Sequence, residues 1–413
     1  MRVLYSHYLP TVDQPAGHMI HAIAHELRGM GHEIVVHASA GEQTLPAGSR
    51  AGPSRKRFPG LRARLWFVKA IARDMARRRQ DEHTVKRVRP DVILVRQDAY
   101  CLSMTRAGHQ LGVPVVTYAD APAACEARQR NDRQRWHPPG LVESYEKWGL
   151  RHSEAVVTVS GPAAATLCEY GVPVPIYVVP NGINPAQFPR LSQAERQYER
   201  HRLGLTAPHI VGFQGTFQAF HGIDRLRDLM LSTACRSDTQ WLIVGDGPER
   251  PRLEQAVSGK VPAVFLGRQP SERMGGLLGL LDVGVAPYSP VQGSFYGCPL
   301  KVLEYAAAGC AVLTSAQGDV PALLDDGRAG VVLPTDDSGT WIHELHWLLD
   351  DPTRCEALGR YAREWTLRKL TWKHTAKRLF EILRDAVDFA RRPKEGWASC
   401  NTGPQGVGRI HLS

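Results

Sequence analysis

Short apolar runs bounded by glycine, proline and small polar residues recur along the chain, separated by longer stretches whose apolar residues fall three and four apart. That alternation is the pattern of parallel strands joined by helices, each strand buried on both faces and therefore apolar throughout. It predicts strands over 2–6, 33–38, 91–96, 114–118, 155–160 and 176–180, then a second set over 209–214, 240–244, 263–266, 283–286, 311–314 and 330–333. Two such sets predict an α/β chain of two doubly wound, Rossmann-like domains. Pro180, Asn181, Gly182, Pro185 and Pro189 break both helix and strand and place the join. The expected divisions are 1–183, 184–370, a helix over 371–392 that returns to the first domain, and a mobile tail over 393–413. Residues 341–392 read as one long, aromatic-rich helical stretch. Ligands of such sheets collect at the carboxyl ends of the strands, so function is expected in a cleft where the two domains face each other.

Composition agrees with two full cores and adds one local feature. The chain has 413 residues, 43% hydrophobic and 22% charged, which excludes a disulfide-stapled mini-protein. Eight cysteines include no C-x-x-C pair, so neither a zinc site nor a disulfide framework is expected, and a reducing cytoplasm fits. The first seven residues are too polar for a signal segment, and no run of about 18 apolar residues occurs. The formal net charge is +10, yet residues 50–90 alone carry 14 Lys and Arg against 3 Asp and Glu. The charge is a patch, and the rest of the chain is close to neutral.

The stretch Tyr296-Gly297-Cys298-Pro299-Leu300-Lys301, followed by Val302-Leu303-Glu304, is a glycine-bearing loop running into a helix with Pro299 near its first position. Unpaired amides of Leu300 and Lys301, the helix dipole and the Lys301 ammonium suit a diphosphate. Glu304 lies one turn past Lys301, where a carboxylate can accept two hydrogen bonds from ribose hydroxyls. The plain alternative is an amphipathic helix with Lys301 and Glu304 solvated. A second stretch, Gly215-Thr216-Phe217 through His221-Gly222, reads as a strand, a glycine turn and a helix start, with His221 reaching back over the loop. Gly245-Asp246-Gly247 and Gly267-Arg268 follow, each about one strand–helix unit on.

In order and spacing these segments resemble the C-terminal domain of the family 4 glycosyltransferases, retaining enzymes of the GT-B fold. The resemblance runs from the first strand through Gly31-His32-Glu33 and Pro180-Asn181-Gly182 to about residue 380. It implies a nucleotide-diphosphate sugar donor, UDP- or GDP-linked, with Glu304 on the ribose and Gly215, Thr216, His221, Arg268 and residues 296–301 around the nucleotide. His221 and Lys301 stand in for the Arg and Lys that many relatives carry. This chain is similar to the branch with a His-Gly pair and a Pro-Leu-Lys segment. Where many members pair two glutamates eight positions apart, the first position here is Tyr296, so backbone amides of Gly297 and Cys298 are an alternative contact to the sugar.

In the first domain, Gly17 and His18 precede a helix on which His21 and His25 follow on the same face. Three imidazoles suggest a metal, but no carboxylate or cysteine completes a known spacing. The resemblance instead places Gly17 and His18 near the donor phosphates and acceptor. It also makes Asp120, where relatives often carry histidine, a catalytic candidate; an Asp opening a turn before Pro122 is the alternative. No Asp-x-Asp stands at a strand end, so no metal and no permanently bound cofactor are expected. The basic segment predicts a helix over 61–79, with Leu61, Leu65, Val68, Ile71, Ala72 and Met75 on one arc and Arg62, Lys69, Arg73 and Arg77 beside it. It packs on the sheet with a solvated flank, or lies on anionic lipid at the inner membrane face; no nucleic-acid module is present. The expected activity is glycosyl transfer to a small-molecule or glycan acceptor in the cytoplasm. A sugar-nucleotide epimerase, a phosphorylase and a non-catalytic sugar-nucleotide binder share the architecture. The residues leave oligomeric state open.

Overall fold

The computed structural model describes residues 1–8, 15–39, 66–129, 138, 140–290, 295–334 and 337–391. The chain forms two compact units. In the first, strands β1 (Arg2–His7), β2 (Glu33–Ala38), β3 (Val92–Arg96), β4 (Val115–Ala119), β5 (Ala155–Thr158) and β6 (Ile176–Val178) form a parallel sheet in the order β2-β1-β3-β4-β5-β6. In the second, β7 (His209–Gly215), β8 (Thr239–Gly245), β9 (Ala263–Gly267), β10 (Val283–Ala286), β11 (Ala311–Ser315) and β12 (Val331–Leu333) run β12-β11-β10-β7-β8-β9. Every strand falls on a predicted run, because a strand covered on both faces must be apolar along its whole length.

The first unit runs from Met1 to Pro180 and takes up the chain again from Trp372. It closes three residues earlier than the sequence boundary, since the Ile183 amide donates to Leu370 O at 2.9 Å and Ile183 bridges Thr371, both in the second unit. The long stretch over 341–392 is three helices, Ser338–Asp350, Pro352–Lys369 and Trp372–Ala390. Pro352 starts the second, capped by Asp351, and the break at Leu370 and Thr371 precedes the third. The third packs on the helix Pro15–Gly29 and on β3, β4 and β5.

Helices lock to the sheets through apolar clusters and a few satisfied polar groups. In the second unit Trp241 and Trp341 are fully buried, and each indole N–H has a partner: Trp241 donates to Thr233 Oγ1 at 2.9 Å and Trp341 to Pro334 O at 2.7 Å. In the first, the helix Trp66–Val88 departs from its predicted face. Trp66, Phe67, Ala70 and Ile71 pack inward, while Val68, Ala72 and Met75 are exposed. The reason lies in two buried carboxylates on this helix. Asp74 accepts from the amides of Leu102 and Ser103, both at 2.9 Å, satisfying the start of the helix Ser103–Leu111. Asp81 accepts from Ser103 Oγ at 2.5 Å and from Ser39 Oγ at 3.3 Å. Hydrogen bonding to these groups rotates the helix away from the arc that apolar residues alone select. Leu61, Arg62 and Leu65 lie outside the described residues.

Candidate functional site

The carboxyl edge of the second sheet gathers most of the predicted phosphate-binding residues. From Gly215 at the end of β7 the chain passes through Thr216 and Phe217 into a single 3-10 turn, Ala219–His221, and then the helix Ile223–Ser232. Gly222 joins turn and helix at φ +69°, and a Cβ there would lie 1.6 Å from the carbonyl oxygen of Pro287, so only glycine fits. His221 is buried, its Nδ1 facing the Gln218 amide at 3.3 Å. Burial first, and then the Lys301 charge, push the imidazole down to about 3. His221 is therefore a neutral group, and the two cations expected from the sequence reduce to Lys301.

Lys301 stands on the helix Leu300–Ala308. Its Nζ lies 4.6 Å from the Phe213 ring centroid and 5.1 Å from that of Tyr288, buried and without a hydrogen-bond partner among the described residues. Burial pushes the ammonium down to about 7, against the opposing pull of Glu304. A Cβ on Gly215 would sit 3.0 Å from Nζ and 3.3 Å from His221 Cε1, so Gly215, His221 and Lys301 converge. Pro299 is not the first helical residue: with ψ 98° it stands just outside, and Leu300 begins the helix. No side chain caps this helix start, which leaves its first amides to water or to an anion.

Glu304 accepts a hydrogen bond on Oε2 from Gln214 Nε2. Its burial raises the carboxyl above the ordinary range, while Gln214 and Lys301 favour the charged form. Tyr305 fixes the frame behind this pair, its hydroxyl accepting from the Gln214 amide at 2.7 Å. Cys298 is buried, and burial pushes its thiol up to about 12, so it is an unreactive wall residue. Asn181 Nδ2 donates to Cys298 O at 3.5 Å and ties the loop to the start of the unit. Gly297 and Tyr296 are half-buried just ahead, and Thr216 is exposed. Arg268 is exposed after β9, the outer strand two positions from β7, apart from the Lys301 cluster.

Sequence reasoning missed Phe213, Gln214, Tyr288 and Gln317. Gln317 Nε2 donates to the carbonyls of Tyr288 at 3.2 Å and Ser289 at 2.7 Å, holding the chain that carries the Tyr288 ring. Tyr288 and Gln317 belong to no local motif, while Phe213 and Gln214 stand in the strand that leads into the Gly215 turn. The one available signal was a polar Gln214 ending an otherwise apolar strand.

The remaining candidates lie in the first unit. Gly17 and His18 are inside the first turns of the helix Pro15–Gly29, not in a turn before it, because Pro15 is already the first helical residue. Gly17 is buried and His18, His21 and His25 are exposed. Among the described residues no group of three or more His, Cys, Asp or Glu side chains gathers as a metal site would need. Asp120 follows β4, and its Oδ2 accepts from Arg96 Nε at 2.8 Å and Nη2 at 2.5 Å.

Comparison with known proteins gives matches to both units. Residues 16–187 match the family described as Glycosyltransferase Family 4, and residues 208–351 match Glycosyl transferases group 1. The 2-deoxystreptamine glucosyltransferase of Streptomyces kanamyceticus is 27% identical over 348 residues, covering 78% of this chain and 85% of that protein. The glycogen synthase of Mycobacterium tuberculosis is 25% identical over 419 residues, 94% of this chain and 95% of that one. Among solved structures, sucrose-phosphate synthase from Thermosynechococcus elongatus superposes with a TM-score of 0.70 at 18% identity, covering 94% of this chain and all of that one. Anabaena HepE in complex with UDP gives 0.68 at 13% identity, covering 93% and 100%.

Proposed function

Since the chain belongs to the family 4 glycosyltransferases and has their two-domain GT-B fold, we propose that it is a retaining enzyme using a UDP- or GDP-linked sugar. The observation that carries the reading is Lys301: a buried ammonium without a hydrogen-bond partner among the described residues, beside an uncapped helix start. A buried charge left unpaired is costly, and a diphosphate supplies the missing partner. Glu304, oriented by Gln214, takes the ribose hydroxyls. As the glycosidic bond breaks, negative charge grows on the leaving diphosphate, and Lys301 with the amides of the helix start stabilises it. The acceptor hydroxyl or amine attacks the anomeric carbon on the face the diphosphate leaves and passes its proton to the departing phosphate oxygen. That course retains configuration. HepE has been crystallised with UDP and with UDP-glucose, which supports a uridine donor.

The acceptor is a small molecule or glycan met at the first unit, in the cytoplasm. No helix among the described residues is long and apolar enough to cross a membrane. The exposed flank of the helix Trp66–Val88 carries Lys69, Arg73, Arg78 and Arg79 beside Val68 and Met75, a composition suited to an anionic lipid surface. The mechanism is tested by incubating the protein with α-linked UDP-glucose or GDP-mannose and an acceptor panel, and reading the new anomeric linkage by proton NMR. An α product is expected, and a β product rules out retention.

A further inference from the structure

One exposed aromatic ring stands beside the donor cluster: Phe220, 47% open to solvent, immediately before His221 at the carboxyl edge of the second sheet. An exposed apolar side chain needs no explanation by itself. Phe220 differs in how its backbone is held. Phe217, three residues before it, is fully buried and takes φ +46°, a left-handed conformation that a residue with a Cβ rarely adopts. The Phe217 ring meets Phe213 edge-on at 5.2 Å, and its carbonyl accepts from the Glu249 amide at 3.1 Å. Past it, the Ser289 amide donates to Phe220 O at 3.0 Å, and Gly222 lies against Pro287 O. The turn Ala219–His221 is therefore fastened on one side to the segment after β8 and on the other to the segment after β10, with the Phe220 side chain left outside. Strained backbone persists where its surroundings fix it, and such places gather at ligand contacts. A ring held in water on a fastened turn is ordered before any ligand arrives, which is what a preorganised contact requires.

The order of residues along the site identifies what the ring meets. β7 runs toward the carboxyl edge, and successive residues at its end face successive parts of the site. Gln214 donates to Glu304, Gly215 faces Lys301 and His221, and the turn carrying Phe220 stands past the end of the strand. The Phe220 ring lies 4.3 Å from that of His221, at 61° to it. A nucleotide sugar has its parts in the same order: ribose, diphosphate, sugar. With the ribose on Glu304 and the diphosphate at Lys301, the sugar is the next part toward Phe220, and the base lies beyond the ribose in the opposite direction.

A pyranose presents C–H groups on its faces, and the face of an aromatic ring is the negative side of its quadrupole, so the two attract while water is excluded between them. Given the nucleotide-sugar donor proposed above, we propose that Phe220 is the platform on which the pyranose ring of the donor stacks, a specificity-determining residue that reads the sugar and not the nucleotide.

Calorimetric titration of the full chain with UDP, UDP-glucose, GDP and GDP-mannose tests the contact in wild type, Phe220→Ala and Phe220→Tyr. Comparing a nucleotide with its sugar conjugate, in wild type and in variant, forms a double-mutant cycle that isolates the interaction of ring with sugar. For the nucleotide that wild type binds, Phe220→Ala should weaken the sugar conjugate about three- to tenfold and leave the free nucleotide within about twofold. Retained nucleotide affinity also establishes that the variant is folded. Phe220→Tyr keeps the ring face and should match wild type for both. Equal weakening of nucleotide and conjugate sets the ring against the base or the phosphates, and no weakening of either makes it a bystander; each result overturns the proposal. A Phe220→Tyr that behaves as Phe220→Ala overturns it as well, as does a bound nucleotide whose sugar conjugate is not bound. Wild type that binds neither nucleotide sinks the function proposed above, and this contact with it.

Discussion

Lys301 sets the pH behaviour of the donor site. An ammonium pushed down to about 7 loses its proton as pH rises through neutrality, whereas in the unfolded chain it holds it to about 10.5. Between those values the unfolded state binds one more proton, so this residue makes the ligand-free protein more stable as pH rises from about 7 to about 10. Nucleotide binding runs the other way, because the diphosphate wants the charged form. Above about pH 7, UDP binding should take up a proton and weaken by up to about tenfold per pH unit. Calorimetry in two buffers of different ionisation enthalpy reads the uptake, and Lys301→Met should abolish it; equal uptake in that variant removes Lys301 from the phosphate site. Lys301 and Glu304 were legible in the sequence because one helical turn separates them. Gln214 was not, since its partner Glu304 lies 90 residues along the chain.

Elements were legible to the extent that apolar pattern determined them. All twelve strands were, because burial on both faces leaves little freedom of sequence. The helix Trp66–Val88 was not, since Asp74 and Asp81 look like surface residues until the amides and hydroxyls they hold are known. Its exposed flank gives a test: Lys69→Glu, Arg73→Glu, Arg78→Glu and Arg79→Glu together should cut binding to phosphatidylglycerol vesicles by about a thousandfold, at roughly 1 kcal/mol per removed charge. Wild-type protein that does not sediment with those vesicles ends the membrane proposal. At the turn joining β7 to its helix, Gly222→Ala should cost more than about 3 kcal/mol, because a Cβ cannot pass the Pro287 carbonyl. Gly259→Ala, also at φ +69° but with nothing within 4 Å of the added Cβ, should cost only about 1–2 kcal/mol. Equal melting temperatures for the two variants contradict that account of the turn.

At the scale of the molecule, the net charge of +10 belongs to residues 50–90 of the first unit, while the donor site in the second relies on a helix start and one ammonium. Charge composition alone therefore gave no view of the nucleotide. The division into two sheets was legible from two runs of six strands, and the last helix, expected over 371–392 to return to the first domain, makes contacts far apart in sequence, such as Thr375 Oγ1 donating to Pro180 O at 2.9 Å. The central claim is that the second unit holds a nucleoside diphosphate through Lys301, the helix start and Glu304. Calorimetric titration of UDP and GDP into wild type and Glu304→Ala tests it most directly. One of the two nucleotides should bind wild type and bind Glu304→Ala about 10- to 100-fold more weakly, the worth of one or two hydrogen bonds to a charged group. Failure of wild type to bind either, or equal affinity for the variant, contradicts it.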